Sequence, residues 1–411
     1  MEAEKKGLLQ FFKDFTRWAL TGSWYYHVFM GILTLLMVTG AYAYSVQFRE
    51  GLVVTGMNDI VSWGLYISNF TFLVGVAAAA VMLVLPAYIF HDGDFTRVVL
   101  LGEGLAVAAL VMCLAFVTVD MGGPTRLWHM LPVVGYFNWP NSMLTWDVLV
   151  LNGYLALNLL VPFYILYKHY HFQEADKKKY IPFVLLSVGW AFAIHLVTAF
   201  LYAGLSARPY WNNALLGPRF LASAFSAGPA LIIIILHYIS RFTEFQVGSR
   251  LFQKLAVIVT AAAQINIIML VSELFKEFYQ TTEHSMSAVY LFFGLHGHDS
   301  LVPWIWTSIG LNVLATIILT IHKFRENRKI LVATCFILFV AVWIEKGMGL
   351  VIPGFLPSPL GEIVDYAPTW IEWTITLGIW AMGAFVFTLL ARSAVIIEMR
   401  RSKHLSGISS K

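Results

Sequence analysis

The 411-residue sequence has little charge and almost no cysteine. Charged residues make up 12% of it and hydrophobic residues 59%, whereas soluble domains carry about twice that share of charge. So few polar residues cannot cover the surface of a water-soluble protein, so the composition predicts an integral membrane protein. The composition gives no sign of a nucleic-acid partner. Cys113 and Cys335 stand alone in apolar stretches, without a C-x-x-C or C-x-x-C-H pattern. This argues against c-type haem, an iron–sulfur cluster or structural zinc in this chain.

Long apolar runs, by contrast, are abundant. A membrane core takes about 20 apolar residues per helix. Ten segments meet that length: 24–45, 62–90, 98–120, 145–169, 180–204, 219–240, 253–279, 302–322, 330–350 and 369–396. The alternating pattern of a membrane β-barrel is absent. The predicted fold class is therefore all-α and polytopic, with an interfacial amphipathic helix in 1–22, a membrane domain in 23–396 and a tail in 397–411.

Lys and Arg residues are distributed unevenly between the two sides. Most lie near the termini, including Lys5, Lys6 and Lys411, or in loops that follow even-numbered spans, whereas the other loops hold Arg49, Arg126, Arg208 and Arg219. Because cytoplasmic loops are enriched in basic residues, both termini are predicted to be cytoplasmic in a multi-pass inner-membrane protein. Loops 121–144, 205–218, 280–301 and 351–368 then form what we call the predicted outer face.

Ionisable residues inside the spans concentrate in the predicted outer half. An ionisable side chain in a membrane helix costs free energy and is a functional hypothesis by default. Such residues are Asp120, Asp147, His195, Glu273, Lys276, Glu277, Glu345, Lys346 and Glu372. Structural interpretations are open for several of them. Glu345–Lys346 and Glu273–Lys276 are candidate ion pairs, Glu372 a cap partner of Thr369, and His195 a hydrogen-bonded core histidine.

The segment 120–147 is the densest in polar chemistry. If the loop folds back, Arg126 and His129 approach Asp120 and Asp147, so that a histidine and a carboxylate share an aromatic-lined pocket. Quinol oxidation needs acceptors for two protons, and histidine titrates near neutral pH. We therefore predict a quinone site in which His129 bonds the head group. Asp147 would orient the His129 side chain or take the second proton. Asp120 and Arg126 would set the pKa of His129. The predicted lining is Trp63, Tyr66, Trp128, Asn141, Ser142, Trp146 and Tyr154.

Other interpretations remain open. The same loop residues also suit an interfacial cluster of salt bridges and caps. Glu103 in the inner half is a candidate for a proton path with Asn69, Glu273 and Glu345, although a single buried acid among small polar groups also serves to join helices. A structural anchor, a proton-translocating subunit without its own quinone site and a solute transporter are the alternatives.

Three stretches resemble a known family. They are Asp120-x-Gly-x-Pro-x-Arg-x-Trp-His129 with Pro140-Asn-Ser-Met-x-x-Trp-Asp147; the second span from Trp63 through Gly75; and Pro357–Glu362 followed by Tyr366, Thr369 and Glu372. The chain resembles the NrfD/polysulfide-reductase membrane subunits across essentially its whole length. It is most similar to their ten-helix branch and, within that branch, to the DsrP-type subunits of sulfur-metabolising prokaryotes.

The resemblance implies a non-autonomous subunit of a quinol oxidoreductase complex that exchanges electrons with menaquinone or ubiquinone. The family's quinone pocket lies in the first four-helix bundle (here within 23–170) near the outer surface. The implied partners are an outer-face ferredoxin-like iron–sulfur subunit, a multihaem cytochrome c subunit, a haem-b membrane subunit and a cytoplasmic iron–sulfur subunit. Sulfite or sulfate metabolism is the implied context.

Overall fold

A computed structural model describes residues 7–131, 133–279, 282, 285–358 and 360–409, with the side chains of 405–409 left out. Lys5, Lys6 and Lys411, which entered the charge argument, lie outside the described residues. We label the principal helices in chain order. They are α1 (Leu8–Leu20), α2 (Trp24–Glu50), α3 (Leu65–Ala78), α4 (Val99–Asp120), α5 (Met143–Tyr170), α6 (Lys177–Ala203), α7 (Leu216–Phe242), α8 (Ser249–Tyr279), α9 (Met286–Phe293), α10 (Val302–Thr320), α11 (Arg328–Lys346) and α12 (Trp370–Ser409).

Short helices extend or connect these elements. They are the one-turn helices Val81–Val84, Gly93–Thr96, His322–Glu326 and Met348–Val351, the 3-10 helices Leu52–Val54, Pro124–Met130 and Pro353–Phe355, and a π-helix at Leu85–Ile89. The π-helix contains Pro86, whose missing N–H removes a normal helical hydrogen bond. The second span, Leu65–Ile89, therefore changes its winding near its C-terminal end.

The prediction of ten membrane spans is confirmed. Within the described ranges, ten helical stretches are long and apolar enough to cross a membrane, α2 through α8 and α10 through α12 with their short extensions. One boundary shift moves a charged residue: α7 begins at Leu216, three residues before the predicted start, and so carries Arg219 inside its first turn rather than in a loop. The tail is helical too, because α12 continues beyond residue 396 to Ser409.

The spans form two neighbouring groups of four. Helices α3, α4, α5 and α6 pack together as the first bundle, and α7, α8, α10 and α11 as the second. Helix α7 also contacts α3 and α6 and so joins the bundles, while α2 and α12 pack against each other and α12 against α4. At the α3–α7 contact, a Cβ on Gly228 would lie only 1.9 Å from the Ala79 Cβ, so these helices meet through small residues.

Helix α1 is attached to the membrane domain by its own side chains. Phe11 is 2% exposed and contacts Phe163, Tyr167 and Tyr170 of α5. The Ser393 hydroxyl of α12 donates to the Phe15 carbonyl at 2.9 Å. The amphipathic helix predicted within 1–22 thus exists as Leu8–Leu20, and its position at a membrane interface stays a prediction.

Helices α2 and α12 meet at two glycines. A Cβ on Gly40 would lie 2.7 Å from the Gly378 Cα, closer than a Cβ approaches backbone in real structures. Without a hydrophobic effect inside the bilayer, such close contacts between small residues supply much of the packing energy.

We therefore expect Gly40→Ala to destabilise the protein, because the added methyl forces α2 away from α12, at a cost of about 1–3 kcal/mol. Gly31→Ala is the matched control on the same helix, since nothing lies within 4 Å of a Cβ there. Thermal unfolding of the two variants in detergent measures the difference. Equal midpoints would contradict the tight α2–α12 contact.

Candidate functional site

Acids inside the second bundle are neutralised by one arginine. Arg219 of α7 pairs with Glu273 of α8 and, through Nη2, lies 2.7 Å from Glu345 Oε1 of α11. Asn312 of α10 donates to Glu345 Oε2 at 2.7 Å, and the Asn266 amide of α8 lies 3.3 Å from Oε1. All four helices of the bundle thus contribute to one ion network. A partnered buried charge of this kind has a structural role without further assumption.

The partners within this network differ from those predicted. Glu273 pairs with Arg219 rather than with Lys276, whose ammonium lies 3.0 Å from Glu277. Lys346, 4% exposed, donates to the Phe220 carbonyl at 3.3 Å and lies over the Phe220 ring rather than pairing with Glu345. Adjacent residues on a helix point in different directions, so Glu345 faces Arg219 while Lys346 faces α7 and Gly75 of α3.

Removing the arginine should therefore destabilise the second bundle. Arg219→Ala leaves two acids buried without their countercharge, a loss of about 3–5 kcal/mol for a broken buried pair. Arg250→Ala is the control, because that side chain is 81% exposed and 3.8 Å from Asp94. Unfolding midpoints in detergent test the pair, and adding Glu273→Gln and Glu345→Gln to Arg219→Ala should recover part of the loss. A silent Arg219→Ala would refute this structural role.

Glu372 is also fully bonded, as its predicted capping role requires. It is buried at the start of α12 and accepts from the Thr369 N–H at 2.9 Å, while its own N–H lies 3.4 Å from Thr369 Oγ1. This reciprocal pair is a capping box. The Gly56 N–H and the Tyr366 hydroxyl donate to Glu372 as well, at 2.7 and 2.5 Å. Burial, then Glu372, raises the pKa of Tyr366, so its phenol remains a neutral donor.

Asp147 is different, because it forms no ion pair with a cation in the part of the chain that the structure describes. It is 2% exposed in α5, and its bonded partner among the described residues is the Thr198 hydroxyl of α6, 2.9 Å from Oδ1. One helical turn beyond Thr198, the Tyr202 hydroxyl lies 2.5 Å from Thr71 Oγ1 of α3. Three helices of the first bundle thus place a carboxyl and neutral hydroxyl groups together in its interior.

An aromatic cluster covers the predicted outer end of this interior. The Trp63 ring stacks on Trp211 at 5.8 Å and meets Tyr202 edge-on at 5.7 Å. Phe355 lies 4.8 Å from Trp211 and 5.7 Å from Trp63. The close approach depends on Gly354, where a Cβ would collide with the Trp211 ring. Flat rings of this kind shield a polar interior from water and offer faces to a planar ligand.

Asp120 is the last residue of α4 and lies near a second polar group. Its Oδ1 is buried and has no hydrogen-bond partner in the described part of the chain. Tyr66, fully buried in α3 and close enough for electrostatic interaction with Asp120, donates to Gln47 Oε1 at 2.7 Å. An unsatisfied buried oxygen calls for a partner from outside the protein, such as water or a ligand.

The loop residues of the predicted site lie at the surface. Arg126, Trp128 and His129 belong to the 3-10 helix Pro124–Met130 and are exposed. Among the described residues, no hydrogen bond or ion pair joins Arg126 or His129 to Asp120 or Asp147. The four side chains expected to cluster therefore do not do so here, because Thr198 holds Asp147 inside the bundle while the loop turns outward.

The other predicted lining residues have varied positions. Trp146 donates from Nε1 to the Pro140 carbonyl at 2.8 Å and contacts Trp139, which fixes the end of the loop. Asn141 is exposed, and Ser142 is the N-cap residue of α5 without a side-chain cap. Tyr154 is buried in α5, about two helical turns after Asp147 in the chain.

Of the predicted proton-path residues, Glu103 is the one that has no countercharge within the described ranges of the chain. Asn69 accepts from the indole N–H groups of Trp343 and Trp380 at 3.0 and 2.8 Å, so it joins α3 to α11 and α12. Glu273 and Glu345 belong to the Arg219 network. Glu103 is 3% exposed in α4 and accepts from the Tyr88 hydroxyl of the π-helix at 3.0 Å.

A cavity opens beside Tyr88 at the predicted inner face. Its volume is about 770 Å³, and its wall includes Tyr88, Val99 and Leu100, the last two lying one turn before Glu103. His169 and Glu398 bond each other across the same wall. The Tyr88 side chain therefore both lines the cavity and bonds the buried acid Glu103.

Sequence reasoning missed Thr198, Tyr202 and Trp211. Threonine in a span is ordinary, and Tyr202 and Trp211 read as interfacial aromatics, so no local pattern marked them. His195, predicted as a core histidine, is fully buried with Nδ1 3.0 Å from the Ala191 carbonyl, as expected. Its Nε2 has no partner in the described part of the chain.

Two four-helix bundles of apolar helices, with acids and hydroxyl groups buried inside them, define a polytopic membrane protein with an intramembrane polar site. The chain belongs to the family described as "Polysulphide reductase, NrfD", whose model matches residues 53–356. The match begins before α3 and ends after α11, and so covers both bundles.

Two relatives resemble the chain over nearly its full length. It is 24% identical to the "Hdr-like menaquinol oxidoreductase integral membrane subunit" of Archaeoglobus fulgidus, over 91% of this chain and 94% of that protein. It is 21% identical to a subunit of the selenate reductase of Mesobacillus selenatarsenatis, over 92% of this chain and 96% of that protein.

Proposed function

We propose that the chain is the quinone-interacting membrane subunit of a respiratory redox complex in the cytoplasmic membrane. It exchanges electrons between menaquinone or ubiquinone and an iron–sulfur or cytochrome c partner on the outer face. Family membership and the menaquinol oxidoreductase relative support the class of reaction. The DsrP-like sequence features support a link to sulfite or sulfate metabolism, with the four partner subunits named above.

The observation that carries this proposal is the uncompensated acid Asp147. Glu273 and Glu345 of the second bundle have Arg219, and Glu372 has three donors, whereas Asp147 has the neutral Thr198 hydroxyl beneath an aromatic cover. An acid kept in a membrane interior without a structural countercharge is expected to exchange protons. The Thr71–Tyr202 pair adds hydroxyl groups suited to the oxygens of a quinone head group.

The proposed roles follow from these positions. The quinol substrate supplies two electrons and two protons, and the electrons leave to the redox partner. Asp147, held by Thr198, accepts one proton, and Asp120 at the outer helix end provides the next buried acceptor. When the loop closes over a bound head group, His129 takes protons onward, and the permanently charged Arg126 tunes the pKa of the groups beside it. Trp63 and Tyr66 belong to the wall of the same compartment.

Asp147→Asn should lower quinol-linked reduction by the purified complex by about 10²–10⁴-fold, as for loss of a positioned proton acceptor. His129→Ala should lower it as well, with assembly intact in both variants. Asp59→Asn, an exposed acid on the predicted outer face, is the control and should have no effect. Normal turnover in both site variants would refute the proposed site.

Binding is measured separately by titrating tryptophan fluorescence with a quinone analogue. Saturable quenching in wild type that weakens in His129→Ala would place the head group near Trp128 and Trp146. Quenching that is absent in wild type would favour the structural-anchor alternative instead.

A second function is favoured by the inner-face cavity, namely proton uptake from the cytoplasmic side through Tyr88 and Glu103. The 3.0 Å Tyr88–Glu103 bond and the adjoining cavity support it. Glu103→Gln should then abolish charge translocation per electron while quinol oxidation continues. Glu326→Gln, at an exposed acid in the same predicted inner face, is the control. The membrane potential generated by the complex in proteoliposomes measures this translocation. Unchanged translocation in Glu103→Gln would exclude proton uptake through Tyr88 and Glu103.

A further inference from the structure

The cavity at the predicted inner face is large enough for a small molecule. Its volume of about 770 Å³ lies within the range of about 300–1,000 Å³ that is typical of ligand sites. Its wall includes residues of the π-helix, the first turns of α4 and α6, the end of α5, the connection between α7 and α8, and α12. Side chains that are distant in the sequence therefore face one common space.

The acids in this wall each have a basic partner in the same wall. The pairs are Glu398 with His169 and Arg401, Glu174 with Arg401, and Glu244 with Lys403. All three carboxylates are thus engaged with cations that already line the cavity.

Two further cations of the wall have no such partner. Arg97 lies over the Phe245 ring, with its guanidinium carbon 5.2 Å from the ring centroid, and Lys177 is the first residue of α6. In the described part of the chain, neither side chain forms a hydrogen bond or an ion pair with an acid. An aromatic ring supplies no acceptor oxygen, so the guanidinium donors of Arg97 are available to a ligand.

Acids that are close to these two cations in the sequence bond other groups. Asp92 and Asp94 lie 2.5 and 2.7 Å from Lys254 Nζ. Asp176 caps α6, because its carboxylate accepts from the backbone N–H of the second helical residue at 3.0 Å. The adjacent chain therefore does not supply the missing countercharge.

The positive ends of two long helices lie in the same wall. Helix α4 begins at Val99 and helix α6 at Lys177, and both residues line the cavity. The N-terminal end of a helix carries a partial positive charge, so a lysine in the first turn is unfavourable unless an anion lies nearby. The cavity thus combines two unpaired cations with two positive helix ends.

The residue types indicate the kind of anion. Arginine matches phosphate through parallel hydrogen bonds, and lysine adds a compact positive charge. Basic pockets between membrane helices on the cytoplasmic side bind phospholipid head groups. Leu100, Ile165 and Met399 give the same wall an apolar part, which suits the glycerol and upper acyl chain of a lipid.

We propose that this cavity binds an anionic phosphate ligand, with Arg97 and Lys177 as its basic contacts. The phosphate is carried by an anionic phospholipid of the inner leaflet or by a soluble phosphate compound of the cytoplasm. The cavity is separate from the proposed quinone site, because Val99 and Asp120 lie at opposite ends of α4, about 30 Å apart.

The lipid source is tested by native mass spectrometry of the purified complex, delipidated and then titrated with dioleoyl phosphatidylglycerol. The double variant Arg97→Gln/Lys177→Gln should lower the fraction of protein with bound phosphatidylglycerol by about tenfold, because both basic contacts of the head group are removed. Lys179→Gln/Arg241→Gln is the matched control. It removes the same charge at exposed positions outside the cavity wall and should bind as wild type does. Zwitterionic phosphatidylcholine should not bind saturably.

The soluble source is tested with inorganic phosphate. If the ligand is a free phosphate compound, inorganic phosphate raises the unfolding midpoint of the delipidated wild-type complex, because it binds the folded state. The cavity variant should lose this shift, and the control variant should keep it. General stabilisation by the salt would instead be the same in all three proteins.

Arg97→Lys/Lys177→Arg retains both charges and should bind the effective probe within a few-fold of wild type, which separates loss of charge from misfolding. The proposal is overturned if wild type binds neither probe, or if the two glutamine double variants lose binding equally. Loss of a co-purifying subunit from the cavity variant, with binding of both probes unchanged, would also overturn it. That outcome would place an acidic protein segment in the cavity.

Discussion

The cost of an uncompensated charge in a membrane is the constraint on which the rest of this structure depends. Arg219 satisfies it for Glu273 and Glu345, and in doing so connects helices α7, α8 and α11, with Asn312 adding α10. Glu372 satisfies it through neutral donors that join the 51–64 loop and the residues before α12 to one carboxylate. In both places the polar bonds also fix which helices are neighbours, because lipid tails offer apolar helices no preferred partner.

The same constraint separates the two bundles by role. The acids of the second bundle are neutralised by basic residues of the same bundle, so this ion network has a structural role and joins the helices. The first bundle contains Asp147, Asp120 and Glu103, each without a cationic partner among the described residues. These acids lie at different depths, with Glu103 near the inner-face cavity and Asp120 at the other end of the same helix. The free energy spent in keeping these acids buried is the physical basis of the proton chemistry that we propose for the first bundle.

Sequence reasoning succeeded where the signal is local. Ten spans, the N-terminal amphipathic helix and the Glu372 cap all follow from residues close together in the chain, and the structure has them. Sequence reasoning was wrong about which side chains bond each other across helices. Glu273 was assigned to Lys276 three residues away, whereas the structure pairs it with Arg219, which is 54 positions distant in sequence and had been placed in a loop. The Asp120–Arg126–His129–Asp147 cluster was likewise drawn from proximity along the chain, and Thr198 of α6 took the place of His129 beside Asp147.

The sequence by itself determined that this is a ten-helix membrane protein, because hydropathy accumulates residue by residue over each span and needs no knowledge of neighbours. It also determined which residues are costly to bury. Only the tertiary structure decided which of those costs are offset, since that depends on how each helix is rotated and which helix lies beside it. Arg219 and Asp147 each occupy a similar apolar context in the sequence. Arg219 bonds two acids, whereas Asp147 bonds the Thr198 hydroxyl, and that difference in packing separates a structural ion network from a candidate site.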